Sequence, residues 1–515
     1  MLALIKNFKK DALQQVQTKV VQPGDIFNLN EPKLSTEHIF TEEELASCEV
    51  DLSALTILAE LGKGAQGVVL KGKLHQEDVA VKKLHHSASD LTQTELANFR
   101  QEVAIMKQLR HPKVVQFMGA STTGDNLMLV TEFLPRGDLE HLLKDKTVEL
   151  SYFQRIKMAT DLAIAMTWLH NTKPVFIHRD LKSSNVLVDN NYNLKICDFG
   201  LTHVKRNVAG ASGHYGLKGT PYTIAPEVFR EEEYNEKTDV YSFSIVLYEL
   251  FTRDSPYDEN MTGQEIRDAV CSGVRPKIPA SCPPRLAALM QACWDNDPSV
   301  RPTFQKIVDE LNVILIPDEG AREVWAAVFS FEYYCPVVKF VSGLASYLST
   351  TEADPRLQIV LALLEITRGL VSMEKVTELT SWFGSFKTSD KDKQSFLDRV
   401  EGICAQPWFH GAISREETND KLLNQPTGTF LARFSSEPGF YVLAFVGEKG
   451  RMQLKVARNG DRLVLGTVSA STIHEIIAHY QETRPESFAR PCPHPWIEKL
   501  APKEAAGYET DLSGF

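Results

Sequence analysis

Two short polar stretches constrain this chain more than any other feature: His178-Arg179-Asp180-Leu181-Lys182-Ser183-Ser184-Asn185, and then Asp198-Phe199-Gly200. Either one alone reads as a surface turn rich in Asp and Asn. Taken together at this spacing, they set two carboxylates and an amide on adjacent turns, just after an apolar-periodic helix over 152–170. Such a group suits phosphoryl transfer. The loose, highly negative transition state of that reaction asks for charges placed in line and for little covalent help from the protein.

The chain is too long, at 515 residues, for a single core, and about two to four domains are expected. Its 43% hydrophobic and 24% charged residues are those of a soluble globular protein. The net charge of −11 is spread without a long single-sign block. That argues against nucleic acid as the main partner and leaves room for a local basic pocket. Eight cysteines without a paired C-x-x-C read as reduced thiols of an intracellular protein. Lys6, Lys9 and Lys10 interrupt a very short apolar start, so no secretory signal is evident. The most apolar region, 324–348, is broken by Glu332, Pro336 and Lys339, which argues against a spanning helix. A cytoplasmic location follows.

In residues 1–20, Ile5, Phe8, Ala12, Val16 and Val20 fall at helical spacing, with Lys6, Lys9, Lys10 and Lys19 off that stripe. Two readings stand: a helix packed on the following domain, or a peripheral contact with a membrane surface. Residues 21–50 form a polar lead-in, where Thr41 and Glu44 can make a capping box. Strand patterning begins near Leu55. The run Leu61-Gly62-Lys63-Gly64-Ala65-Gln66-Gly67-Val68-Val69 has glycines at three positions where backbone must lie close over phosphates. Val79-Ala80-Val81-Lys82 follows a strand later, and a helical stretch offers Glu102 as partner for Lys82, with Glu95 two turns earlier as the rival. Residues 127–134 read as a buried strand entering an extended connector, and Asp138 as an N-cap.

Residues 55–311 resemble a eukaryotic protein kinase domain: glycine loop, Lys82, Glu102, the His178-Arg179-Asp180 and Asp198-Phe199-Gly200 segments, Ala225-Pro226-Glu227, Asp239 and Arg301-Pro302, in order. The resemblance implies ATP and Mg²⁺. It implies Asp180 as base, Asn185 and Asp198 as metal ligands, Lys82 on the α/β-phosphates and Lys182 on the γ-phosphate. ATP would lie under residues 61–69, against Ala80 and Leu187. The backbone of Glu132 and Leu134 would bind adenine, with Thr131 limiting the pocket's depth. A Glu227–Arg301 ion pair would lock the large lobe, and Asp239 would brace the catalytic loop. Lys182 and Gly219-Thr220 resemble the serine/threonine pattern, and Leu181-Lys182-Ser183-Ser184-Asn185 the tyrosine-kinase-like group, in which some members have dual specificity. Gln66 replaces the frequent aromatic at the loop tip, and Thr223-Ile224 replaces the usual Trp-Met, which leaves acceptor preference open. Arg179 would pair with a phosphorylated Ser212, Tyr215 or Thr220; a structural place for Thr220 beside Asp180 is the competing reading.

Residues 317–400 match no motif. They read as a helical connector packed on the large lobe, a small helical domain, or an oligomerisation segment, since Trp325, Phe329, Tyr333 and Phe340 need burial. From Trp408 the chain resembles a Src-homology-2 (SH2) domain, through Phe430-Leu431-Ala432-Arg433-Phe434-Ser435 and the strands and helix after it. Arg433 would take the phosphate of a phosphotyrosine, with Arg415, Ser435, Ser436 and Lys455 around it. Gln453 stands where the family often has a histidine, which weakens one minor contact.

The expected fold is therefore α+β and multidomain: a lead-in (1–54), a bilobal kinase domain (55–314), a helical connector (315–400), an SH2 domain with a central antiparallel sheet flanked by two helices (408–500), and a tail (501–515). Its kinase-first order is similar to that of amoebal kinases with this module. The expected partners are protein substrates and phosphotyrosine-containing proteins. The rival is a silent scaffold that only recruits partners; the presence of Lys82, Glu102, Asp180, Asn185 and Asp198 argues against it.

Overall fold

A computed structural model describes residues 48–63, 67–122, 126–200, 202–204, 220–328, 334–364, 366, 369–387, 394–436, 439–459 and 462–497. The readings made for residues 1–20, Thr41, Glu44, the loop tip Gly64-Ala65-Gln66, Ser212, Tyr215, Phe329, Tyr333 and the tail lie outside these. The chain divides into two compact units, the second beginning at Ile316.

The first unit opens with strands β1 (Leu55–Lys63), β2 (Gly67–Leu74) and β3 (Glu77–Leu84), helix α1 (Gln93–Gln108), and strands β4 (Phe117–Ser121) and β5 (Met128–Glu132). They form one antiparallel sheet in the order β1-β2-β3-β5-β4. Its core is Leu74, Val79, Val81, Met128 and Val130, the inward residues of alternating strands. Thr92 and Glu95 close a capping box that starts α1. With Glu95 held there, the helix buries Phe99, Glu102, Val103 and Met106 on its inner face.

A helical body follows: α2 (Leu139–Lys144), α3 (Tyr152–Asn171), short strands β6 (Phe176–Ile177), β7 (Val186–Val188), β8 (Leu194–Ile196) and β9 (His203–Val204), then α4 (Pro226–Phe229), α5 (Lys237–Thr252), α6 (Gly263–Cys271), α7 (Pro284–Cys293) and α8 (Phe304–Leu315). Helix α5 is buried at every position from Thr238 to Leu250, as expected of a helix at the centre of a large domain. Three of the carboxylates buried in it or beside it are held by partners. Glu227 takes a bidentate pair from Arg301 at 2.7 and 2.8 Å, both side chains almost fully buried. Asp161 is pinned between Lys113 and Lys157, each 2.7 Å away, and also accepts from Leu194 N. The third, Asp239, belongs to the site.

The second unit contains α9 (Glu319–Val328), β10 (Tyr334–Pro336), α10 (Val337–Tyr347), α11 (Pro355–Leu363), β11 (Leu370–Ser372), α12 (Met373–Phe383) and α13 (Phe396–Cys404). Helix α14 (Arg415–Lys421) comes next, with strands β12 (Thr429–Phe434), β13 (Tyr441–Gly447), β14 (Gly450–Asn459), β15 (Arg462–Leu465) and β16 (Val468–Ala470), helix α15 (Ile473–Thr483) and β17 (Arg490–Pro491). The sheet runs β16-β15-β14-β13-β12-β17 and is antiparallel except where β17 joins β12 in parallel. Gly411 has φ +69°, and a Cβ there would strike the Trp496 ring, so the entry to this sheet demands glycine. Trp325 and Phe340 are buried. Trp382 of α12 packs on the sheet, 4.0 Å from the Phe434 ring and nearly parallel to it. Among the described residues no helix is long and apolar enough to cross a membrane.

Candidate functional site

The site in the first unit is built on the bend after β6. Its foundation is Asp239, which is fully buried and accepts from the backbone amides of His178 and Arg179, both at 2.9 Å, with His170 Nε2 at 2.8 Å. Arg179 has φ +68°, a conformation that needs outside support in a residue with a Cβ, and the two amide bonds to Asp239 supply it. Burial would push the Asp239 carboxyl up. The hydrogen bond from His170, with the nearby His178 and the Arg179 amide, outweighs it and holds the group below the ordinary carboxylate value.

This bend presents Asp180. Its Oδ2 receives the Asn185 side-chain amide at 2.9 Å and lies 3.0 Å from Lys182 Nζ. Its Oδ1 is buried and has no hydrogen-bond partner among the described residues. Asn185 Nδ2 also donates to the Asp180 carbonyl at 2.8 Å, which turns Asn185 Oδ1 away from Asp180.

Asp198 follows β8 with φ +61°. Phe199 is buried against the His178 ring, 5.2 Å between centroids. Asp198 Oδ1 lies 3.7 Å from Lys82 Nζ and accepts from Gly200 N at 3.3 Å. Lys82 Nζ in turn lies 2.9 Å from Glu102 Oε1. Burial opposes a charge on Lys82, but Glu102 and Asp198 outweigh it and raise the pKa, so the ammonium persists at any physiological pH. Asp198 is desolvated too, yet Lys82 and the Gly200 amide draw its carboxyl below the usual range.

Above these charges the sheet leaves apolar surface uncovered. Leu61 is 48% and Val69 36% exposed, and Ala80 stands opposite Thr131 in the β3–β5 register. Leu187 is half-buried in β7 and forms an antiparallel bridge with Asp138 in the helical body. The Glu132 amide donates to Gln116 O at 3.0 Å, and the Leu134 carbonyl accepts from Gly137 N at 3.3 Å. These bonds use the Glu132 amide and the Leu134 carbonyl and involve neither the Glu132 carbonyl nor the Leu134 amide. The Glu132 side chain bonds Lys195 Nζ at 2.6 and 2.8 Å, a clamp on this segment that sequence patterning missed. Of the described loop glycines, Gly62 has open space where a Cβ would be, whereas a Cβ at Gly67 would collide with the Lys83 carbonyl. Gly67 thus has a packing reason of its own. Lys63 and Val68, which flank the loop tip, are partners across β1 and β2.

Thr220 caps a short 3₁₀ turn at Pro221–Thr223, and its side chain is not among the hydrogen-bond partners of Asp180. Thr223 is buried, and Ser242 of α5 donates to its carbonyl at 2.7 Å. Arg179 stacks its guanidinium 5.5 Å over the Tyr234 ring.

The second unit carries a different concentration of charge. Arg433 of β12 is 7% exposed; Nη1 donates to Phe434 O at 2.8 Å and Nη2 to Gln453 Oε1 at 3.1 Å, while Nε is buried with no partner. Gln453 Nε2 donates onward to Asn419 Oδ1 of α14 at 3.0 Å. The glutamine therefore orients Arg433. Burial and the nearby like charge of Arg415 both lower the Arg433 pKa, so this guanidinium is short of anionic company. Arg415 is exposed at the start of α14, half-buried Ser435 and exposed Ser436 follow β12, and Lys455 lies two strands from Arg433 in the Arg433–Val442–Lys455 register. Lys455 Nζ sits 4.0 Å over the Phe440 ring.

Comparison with known proteins places two families on the chain. Residues 55–311 match the family model described as protein tyrosine and serine/threonine kinase, and residues 408–480 that of the SH2 domain. Dual specificity protein kinase shkA of Dictyostelium discoideum is 38% identical over 436 residues, which covers 78% of this chain and 81% of the relative. The chain belongs to the SH2-domain-containing protein kinases. A second member from the same organism, dual specificity protein kinase shkC, is 35% identical over 85% of this kinase and 91% of the relative. The serine/threonine-protein kinase CTR1 of Arabidopsis thaliana is 42% identical over 263 residues, 51% of this chain and 32% of its own length. The kinase accordingly uses ATP and a divalent metal ion, acts on protein hydroxyls and carries a module of the phosphotyrosine-binding type.

Proposed function

We propose that this kinase transfers the γ-phosphoryl group of ATP to serine and threonine hydroxyls, with tyrosine as a second acceptor, on proteins brought to it through phosphotyrosine. The observation that carries the catalytic part is the state of Asp180. One carboxylate oxygen is fixed by Asn185 and Lys182, and the other is buried and unbonded. A buried acceptor without a donor is costly, and an incoming hydroxyl would satisfy it.

The acceptor hydroxyl donates to Asp180 Oδ1, its oxygen attacks the γ-phosphorus, the bond from that phosphorus to the ADP oxygen breaks, and the proton passes to Asp180. Lys182, beside the same carboxylate, neutralises charge on the transferring group. Lys82, held by Glu102, orients the α- and β-phosphates as a fixed cation. Asn185 Oδ1 and the Asp198 carboxylate are hard oxygen donors suited to Mg²⁺. Bound there, Mg²⁺ would neutralise phosphate charge.

The relatives named dual specificity kinases support tyrosine as the second acceptor. Lys182 and the Gly219-Thr220 pair of the sequence support serine and threonine as the first. In the second unit, Arg433 Nε is buried without a partner and would take a phosphate oxygen, with Arg415, Ser435, Ser436 and Lys455 as further donors. Binding there raises the local concentration of substrate and adds no catalytic group. Phosphoamino-acid analysis after incubation with ATP and Mg²⁺ tests the reading. Label on serine, threonine and tyrosine with wild type, and none with Asp180→Asn, is expected. Equal labelling by both proteins sinks it.

A further inference from the structure

The loop that follows Arg433 is held from outside the SH2 family match. Residues 435–440 join β12 to β13 and carry Ser435 and Ser436. At their start, Phe434 is covered by the Trp382 indole, 4.0 Å away at 15°, and by the edge of Phe383 at 5.8 Å. At their end, the Phe440 carbonyl receives two hydrogen bonds, one from Ser435 N at 2.9 Å that closes the loop and one from Trp382 Nε1 at 3.2 Å. The next residue, Tyr441, donates its hydroxyl to the Trp382 carbonyl at 2.7 Å. Three consecutive attachments therefore join one residue of α12 to both ends of the loop.

The attachments also reach the charged side of the pocket. Phe440 lies with its carbonyl under Trp382 and its ring under Lys455, 4.0 Å from Nζ. Arg433 Nη1 donates to the carbonyl of Phe434, whose ring Trp382 covers. A movement of Trp382 would thus displace groups beside both Arg433 and Lys455. Arg433 has little slack, because Gln453 and Asn419 hold Nη2 from the other side.

We propose that Trp382 is a positioning residue of the phosphotyrosine site, and that helix α12 is a working part of the phosphotyrosine-binding module. The connector is then more than a spacer: whatever shifts α12 changes the grip on phosphate. This rests on the reading that Arg433 receives the phosphate. Bidentate recognition of phosphate tolerates little misplacement, so a loop freed at both ends loses affinity without losing any residue that touches the ligand.

The experiment uses the full chain, a labelled degenerate pool of phosphotyrosine peptides, and phenyl phosphate as competitor. Arg433→Ala is the control for the underlying reading; wild-type binding by that variant overturns the reading itself. With the control behaving, Trp382→Ala is expected to weaken both the peptide pool and phenyl phosphate by about tenfold, the loss of one buried hydrogen bond and one ring contact. Trp382→Phe keeps a ring on Phe434 and is expected to recover to within about threefold of wild type. Wild-type affinity in Trp382→Ala overturns the proposal. So does a smaller binding-competent fraction with unchanged affinity, since that is the signature of a fold defect alone. Should Trp382→Ala fail to fold, Tyr441→Phe decides: reduced affinity for phenyl phosphate sustains the proposal, and wild-type affinity ends it.

Discussion

Asn185 grips Asp180 twice with one amide nitrogen, at the carbonyl and at Oδ2. On the proposed mechanism the base is aimed by the same side chain whose remaining oxygen would be offered to the metal. A single substitution here would then remove orientation and metal ligation together.

For that reason Asn185→Ala is expected to lower kcat by about a hundredfold or more, with the KM for a peptide substrate changed far less. Raising Mg²⁺ should recover only part of the loss, because extra metal cannot re-aim Asp180. Steady-state kinetics across a Mg²⁺ series checks this, and full recovery at high Mg²⁺ would show that aiming Asp180 is no part of its role.

Asp239 couples stability to pH. Its pKa is lowered in the folded protein, so its contribution is complete above the ordinary carboxylate value of about 3.9 and is lost as pH falls below that toward the folded-state value. In Asp239→Asn, the amide nitrogen would face a backbone donor, His178 N or Arg179 N. The variant is expected to lose about 3 kcal/mol or more at neutral pH and to show a shallower acid limb below pH about 4. Denaturation over a pH series tests it; parallel curves for the two proteins would contradict the assignment.

Glu249 behaves in the opposite sense. It is buried in α5 with Oε2 unpartnered, and desolvation pushes its carboxyl up to about 7 despite a hydrogen bond from Ser183. A group raised in the folded state stabilises below its unfolded value of about 4.3 and loses that advantage as pH rises toward the folded value. Glu249→Gln copies the neutral acid. Its melting temperature is expected to match wild type near pH 4 and to exceed it near pH 8. A gap independent of pH would refute this. Because Ser183 belongs to the catalytic loop, the wild-type loop is also expected to exchange its amides faster at the higher pH.

The glycine loop and both catalytic segments are legible in the sequence because their chemistry needs contiguous backbone of unusual shape. Asp239 under the bend and Phe199 under Asp198 are spatial consequences of those same segments. The choice between Glu102 and Glu95 is also readable in retrospect: Thr92-Gln93-Thr94-Glu95 is a capping box, which commits Glu95 to the helix start and leaves Glu102 for Lys82. At Gln453 the family pattern reads only as one minor contact weakened; the bond to Arg433 depends on the pairing of strands and is not visible in the sequence. The place of Trp382 was not readable at all. Nothing near it in sequence names a partner, and Phe440 lies 58 residues away, so the contact depends on two surfaces meeting.

The Gln453 contact yields the last prediction. Gln453 ties Nη2 of Arg433 to Asn419 on α14, so it acts on the phosphate only through the guanidinium. Gln453→Ala leaves Arg433 with its charge and its Phe434 bond but frees the fork to rotate. Phosphotyrosine binding is then expected to weaken about five- to tenfold, against the near-complete loss in Arg433→Ala. Because the charge remains, the salt dependence of binding should stay close to wild type in Gln453→Ala and flatten in Arg433→Ala. Activity towards a free peptide should be unchanged in both, since neither residue belongs to the catalytic unit. Fluorescence polarisation at several salt concentrations, paired with a peptide kinase assay, reads all three quantities. A Gln453→Ala protein that binds as tightly as wild type would return this residue to the passive place that family pattern assigns it.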